Sequence, residues 1–174
     1  MTEHLLRPRR DEDLPALTRV LAAQQPHSGY PYVWPRPAPV AEFVVRSGEL
    51  RAWTAELDGR PVGHLSLTRV DAADPAGPLW AAVADRPVAD LVCVSALFVD
   101  HELWSRGIGT DLLREAQTWA RDHGRVCCLD VVPEHARALQ VYRRAGWREA
   151  GTLQPGWLDP QDGPQLLLVE PATA

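Results

Sequence analysis

Residues 97–113 read LFVDHELWSRGIGTDLL. An apolar run ends at Val99, a short polar loop follows, and Gly107 and Gly109 open a segment with helical periodicity. From Gly107 to His123, the residues Ile108, Leu112, Leu113, Ala116, Trp119 and Ala120 share one face, and Gly124 suits the C-terminal cap. The first N–H groups of a helix have no intrahelical partner, and the helix dipole places positive charge there. Glycine removes the Cβ that would keep an anion away, and Arg106 adds a full charge beside it. The stretch therefore reads as a strand, a turn and a helix built around an anion. Two familiar phosphate loops fail. A P-loop needs a lysine, which the chain lacks, and a GxGxxG fingerprint meets Leu112 where its third glycine belongs. Asp130 also lies inside the next strand instead of closing it.

Upstream, residues 5–7 form a short strand candidate, and residues 11–24 read as a helix with Leu14, Leu17 and Leu21 on one face. The segment PHSGYPYVWPRPAP, 26–39, is too proline-rich for regular structure and carries Tyr30, Tyr32 and Trp34. Residues 50–57 and 62–70 are strand-like around Asp58-Gly59, a strong hairpin signal. Residues 71–90 read as a loop or short insertion, and 91–99 as a central strand, apolar on both faces. Downstream come a buried strand at 126–132, a helix at 133–145 closed by Gly146, and strands at 147–153 and 165–169. Strands and helices in this order predict a mixed α/β layer fold in one domain covering 1–174.

Bulk properties narrow the function. The 45% hydrophobic share is that of an ordinary globular protein, and no apolar run reaches the roughly 18 residues of a membrane span. The N-terminus lacks the apolar region of a secretory signal, so a cytoplasmic protein is expected. A net charge of −5 argues against a nucleic-acid binder. Three cysteines without a CxxC spacing point to free thiols, with neither a disulfide framework nor a metal site. Every basic residue besides histidine is arginine, asparagine is absent, and Ile108 is the only isoleucine, a bias that suggests GC-rich codons and a bacterial source.

A second stretch gives the anion an identity. Residues 135–147 read HARALQVYRRAGW. Together with LFVDHELWSRGIGTDLL this resembles the GCN5-related N-acetyltransferase family. That family has a strand ending in L-x-V, a loop [RQ]-x-x-G-x-[GA], a helix, a strand, and then N-x-x-A-x-x-x-Y-x-x-x-G-[FW]. Leu97, Phe98 and Val99 match the strand end, Trp104 to Gly109 the loop, and His135, Ala138, Tyr142, Gly146 and Trp147 the second signature. The resemblance implies a mixed central sheet splayed at a coenzyme A site, with flanking helices.

By that resemblance, acetyl-CoA is the co-substrate. Its pyrophosphate lies on the N–H groups around Trp104, Ser105, Arg106, Gly107, Ile108, Gly109 and Thr110. Its pantetheine arm adds along the backbone of Leu97, Phe98 and Val99, with His135 as a further contact. Tyr142 acts as general acid toward the leaving thiolate, and a neutral primary amine attacks directly without an acyl-enzyme. The sequence departs from the pattern at Trp104, where the family has Arg or Gln, and at His135, where it has Asn. Cys93 stands where many relatives carry a glutamate base, which leaves Glu102, His64 and His27 as candidates. Tyr30, Tyr32 and Trp34 either wall an acceptor pocket, cover the core or form a dimer contact. The expected activity is acetyl transfer to a small-molecule or peptide amine, with a homodimer possible and neither nucleic acid nor membrane as partner. The alternative is a non-catalytic acyl-CoA-binding or interaction domain on the same fold.

Overall fold

The computed structural model describes residues 3–172. Among these residues the strands are β1 (Leu5–Pro8), β2 (Glu49–Leu57), β3 (Arg60–Arg69), β4 (Leu91–Val99), β5 (Val126–Val131), β6 (Arg148–Leu153) and β7 (Gln165–Val169). The α-helices among them are α1 (Leu14–Ser28), α2 (Ala41–Val44), α3 (Gly77–Ala84), α4 (Ile108–Asp122) and α5 (Ala136–Arg144). The strands pair in the order β1-β2-β3-β4-β5-β7-β6, with β4–β5 parallel and β1–β2, β2–β3, β5–β7 and β6–β7 antiparallel, which is the mixed α/β sheet expected. The chain divides into two compact units, Met1–Thr68 with Val94–Ala116, and Arg69–Cys93 with Gln117–Ala174. All three chain boundaries between them fall inside regular elements, β3, β4 and α4.

In the first unit, the β2–β3 hairpin turns on Asp58 at φ 50° and Gly59 at φ 74°. Two left-handed residues are what the primed two-residue turn requires, and Leu57 faces Arg60 as a result. α1 differs from the expected 11–24. Asp11–Asp13 form a 3₁₀ turn, and the helix runs through Pro26 to Ser28. Proline removes one donor, yet left-handed Gly29 still closes the last turn on the Gln25 carbonyl at 2.8 Å. Asp13 is buried beneath the helix start. Its carboxylate accepts both guanidinium nitrogens of Arg7, at 2.7 and 2.8 Å, and the Thr54 hydroxyl at 3.0 Å. Leu17 and Leu21 of α1, Phe43 and Val44 of α2, and Ala96 and Phe98 of β4 form the core.

In the second unit, α3 occupies part of the segment expected as a loop or short insertion. Its sequence GPLWAAVA is nearly apolar throughout, so no polar face marks a helical period. Trp80 anchors it, fully buried with Val70, Leu91, Cys128, Leu167 and Val169. The parallel ladder of β4 and β5 runs from Leu91↔Val126 to Cys93↔Cys128, and β4 continues past it. α5 begins at Ala136, not at residue 133, because His135 takes the cap after a turn closed by its N–H on Val132. None of the three cysteines forms a disulfide, and Cys127 and Cys128 are buried. Among the described residues, no helix is long and apolar enough to cross a membrane.

Candidate functional site

The end of β4 is not a plain strand. Ala96 has φ +48°, a left-handed conformation that a side-chain-bearing residue adopts rarely and at a cost. Side chains of β3 hold the backbone there. Ser66 donates to the Ser95 carbonyl at 3.1 Å, and the His64 ring lies with Nδ1 2.8 Å from the Ala96 carbonyl. A carbonyl only accepts, so Nδ1 carries the proton and Nε2 is left as an acceptor. Arg9 fills it at 3.2 Å while its guanidinium grips both oxygens of Glu49, at 2.8 and 2.6 Å. Burial and the Arg9 and Arg46 charges push the His64 pKa down to about 3, so the ring is neutral in one tautomer. Because the Ala96–Leu97 peptide is trans, the Leu97 N–H points opposite to the held carbonyl, away from the His64 ring. The relay Glu49–Arg9–His64 thus fixes the direction of one backbone donor.

The loop after β4 is braced from within. Asp100 accepts the Glu102 N–H at 3.1 Å, and the Trp104 indole donates to the Val99 carbonyl at 3.0 Å. The residue standing where the resemblance has Arg or Gln therefore still ties the loop to its strand. Ser105 at φ 72° and Gly107 at φ 84° flank Arg106, and all three are exposed. α4 then starts at buried Ile108, with Asp111 N–H on the Gly107 carbonyl at 2.9 Å. A Cβ on Gly107 would meet only the Asp111 carboxylate, at 3.9 Å, so the space over the turn is open. That carboxylate is engaged by His4 at 3.1 Å and Arg114 at 2.7 Å. Gly63 of β3 makes room beneath, since a Cβ there would come within 3.3 Å of the Phe98 carbonyl and 3.4 Å of Ile108. An open turn with a left-handed glycine, an exposed arginine and a helix start fits a pyrophosphate.

The candidate bases separate. His64 is fully buried, with both nitrogens engaged, so it cannot serve as a proton relay to solvent. His27, at the end of α1, stacks on His101 with ring centroids 4.0 Å apart and planes 9° from parallel. Glu102 is exposed. Of the aromatic residues in the proline-rich segment, Tyr30 covers the core, meeting Phe43 edge-on at 5.4 Å. Tyr32 and Trp34 are half-buried.

In the second unit, Tyr142 is buried on α5 with its ring 5.6 Å from that of Trp147. Gly146 at φ +81° ends the helix so that the Trp147 N–H returns to the Tyr142 carbonyl at 3.1 Å. His135 is half-buried at the head of the same helix. The spacing of the second signature is thus a helix carrying its tyrosine, a glycine stop and a tryptophan that packs back on the ring.

Sequence reasoning missed the bend at Ala96 and the relay that holds it. Alanine carries no signal for a left-handed residue, and a strand buried on both faces shows no break in alternation.

Residues 15–147 match the model of the Acetyltransferase (GNAT) family. An uncharacterized N-acetyltransferase of Methanocaldococcus jannaschii is 30% identical over 119 residues, 67% of this chain but 47% of that protein. The chain thus spans about half the length of that curated relative. Among crystal structures, Arabidopsis thaliana NAA60 in complex with acetyl-CoA is 21% identical with a TM-score of 0.69, covering 96% of this chain and 97% of that one. A GNAT family acetyltransferase of Brucella melitensis, also in complex with acetyl-CoA, is 20% identical with a TM-score of 0.62, covering 100% and 93%. At these identities the two structures establish the fold.

Proposed function

We propose, since this chain belongs to the acetyltransferase (GNAT) family, that it is an acetyl-CoA-dependent N-acetyltransferase acting on a primary amine, as one domain over residues 1–174. The observation that carries the reading is the open turn at Ser105–Gly107, placed between the bent end of β4 and the start of α4. The N–H groups around Trp104 to Thr110, with Arg106, would hold the pyrophosphate, and the backbone of Leu97, Phe98 and Val99 would hold the pantetheine. His64 acts as a positioning residue. By fixing the Ala96 carbonyl it aims the Leu97 N–H, and its own hydrogen bond polarises that donor toward an acyl oxygen.

In the transfer itself, the amine nitrogen bonds to the acetyl carbon, the thioester C–S bond breaks, and the ammonium proton passes to water. By the family resemblance, Tyr142 supplies the proton taken up by the departing thiolate, and His135 adds a contact to the arm. Three cysteines outside any disulfide suit a reducing cytoplasm.

The test is release of free thiol from acetyl-CoA across a panel of amines and peptides. Turnover with at least one amine supports the reading. Stabilisation by acetyl-CoA without turnover on any of them favours a binding domain on the same fold, a reading that His64 motivates because it is locked away from proton transfer.

A further inference from the structure

We propose that Arg36 and Arg46 form a carboxylate seat, so that the acceptor is an amine carrying a carboxylate, of the amino-acid class. The inference rests on the acetyltransferase reading and adds the substrate class to it.

The observation is a pair of cations on one ring. The guanidinium carbon of Arg36, from the proline-rich segment, lies 4.7 Å from the centre of the Phe43 ring, and that of Arg46, just after α2, lies 4.0 Å from it. A ring face attracts a cation but supplies no counter-charge and accepts no fork of N–H donors. The Nε atom of each arginine is buried without a hydrogen-bond partner, and neither guanidinium forms an ion pair among the described residues. The neighbouring arginines of the same unit differ. Arg7 is tied to Asp13 and Glu56, and Arg9 to Glu49. Two like charges brought to one phenyl ring, each with a buried donor unmet, lack the counter-charge that an anion would supply. A carboxylate offers two oxygens to such forks, which a neutral amide matches only in part.

The place of the pair assigns it to the acceptor. Phe43 packs in the same buried cluster as Ala96 and Phe98, the residues on either side of the Leu97 donor. Arg46 is also close enough to His64 for its charge to depress that ring's protonation. A carboxylate over Phe43 therefore lies near the point on β4 where the acyl group would be polarised. It belongs to a different stretch of chain from the turn at Arg106. The net charge of −5 suggests a cationic partner, but this local pair reverses that reading at the site itself.

The test compares acceptors in matched pairs with acetyl-CoA, aspartate against asparagine and against its α-amide, so that side-chain and α-carboxylates are told apart. At least one acid should exceed its amide about tenfold in kcat/KM. The ratio should fall toward one in Arg36→Gln/Arg46→Gln and recover in part in Arg36→Lys/Arg46→Lys, which keeps the charges over the ring. A second readout needs no turnover. In the presence of CoA, N-acetylaspartate should raise the wild-type Tm more than its diamide does. Equal kcat/KM for acids and amides, equal Tm shifts, or Gln variants that lose affinity for acetyl-CoA instead of for the acid would each overturn the proposal. Failure of the underlying acetyltransferase reading is visible separately, as no Tm shift with millimolar acetyl-CoA alone.

Discussion

The turn at residues 104–110 and the segment from Tyr30 to Arg46 belong to one compact unit, yet they offer ligands opposite kinds of surface. The turn presents backbone: two left-handed residues, Ser105 and Gly107, an exposed arginine between them and the first N–H groups of α4. The other segment presents side chains, two guanidiniums over a phenylalanine held by the core. Backbone recognition demands particular dihedral angles, so it leaves glycines in the sequence. Side-chain recognition needs only ordinary residues brought together, and leaves no pattern. A donor shared by many enzymes suits the first, and an acceptor peculiar to one suits the second.

This contrast can be broken by mutation. Gly107→Glu places a bulky anion over the open turn in a conformation that costs about 1 kcal/mol for a non-glycine residue. We expect acetyl-CoA affinity to fall at least about a hundredfold by isothermal titration. An affinity within a few-fold of wild type would remove the turn from the site. His64→Ala frees the Ala96 carbonyl, and kcat should drop roughly a hundredfold, with KM for acetyl-CoA changing far less. A parallel rise in KM at constant kcat would make His64 a packing residue only.

Tyr142→Phe should lower kcat by about tenfold while CoA binding persists, and an unchanged kcat takes the acid role from that residue. Arg106→Ala should weaken acetyl-CoA only several-fold, and less at high salt, because an exposed charge is screened where backbone donors are not. A larger loss than that of Gly107→Glu would reverse the comparison.

The smallest effect is on stability. His64 has a folded pKa of about 3 against 6.5 unfolded, so between these values the unfolded chain binds a proton that the folded one refuses. Its contribution is complete above pH 6.5 and is lost as pH falls toward 3, by at most about 1.4 kcal/mol per pH unit. The charges facing the ring are Arg9 and Arg46, which lower its pKa, and Asp13, which raises it. Between pH 6.5 and 5, before most carboxylates titrate, Tm should decline more steeply for wild type than for His64→Gln. Identical slopes would mean that His64 takes up its proton as readily in the fold as in the unfolded chain.

How far the sequence could be read follows the same division. The β2–β3 hairpin, β4, the turn and α4 were legible because Asp58-Gly59, the apolar run 91–99 and Gly107-Ile108-Gly109 each admit few conformations. α3 was hidden because GPLWAAVA buries Trp80 without a polar face, and α2 because four residues carry no period. Trp104 shows a subtler limit. It stands where the resemblance has Arg or Gln, and its indole N–H supplies a loop brace to Val99. The Arg9–Glu49 pair and His64 meet through strand pairing across 55 residues of chain, and Arg36 and Arg46 through the packing of Phe43. Neither kind of proximity is written in local spacing.

The central claim is that backbone amides at the end of β4 and in the turn hold acetyl-CoA. Amide hydrogen exchange resolved by residue, with and without saturating acetyl-CoA, addresses it directly. We predict added protection at Leu97 to Val99 and at Ser105 to Thr110. Binding that leaves those amides unchanged and protects others instead would contradict it.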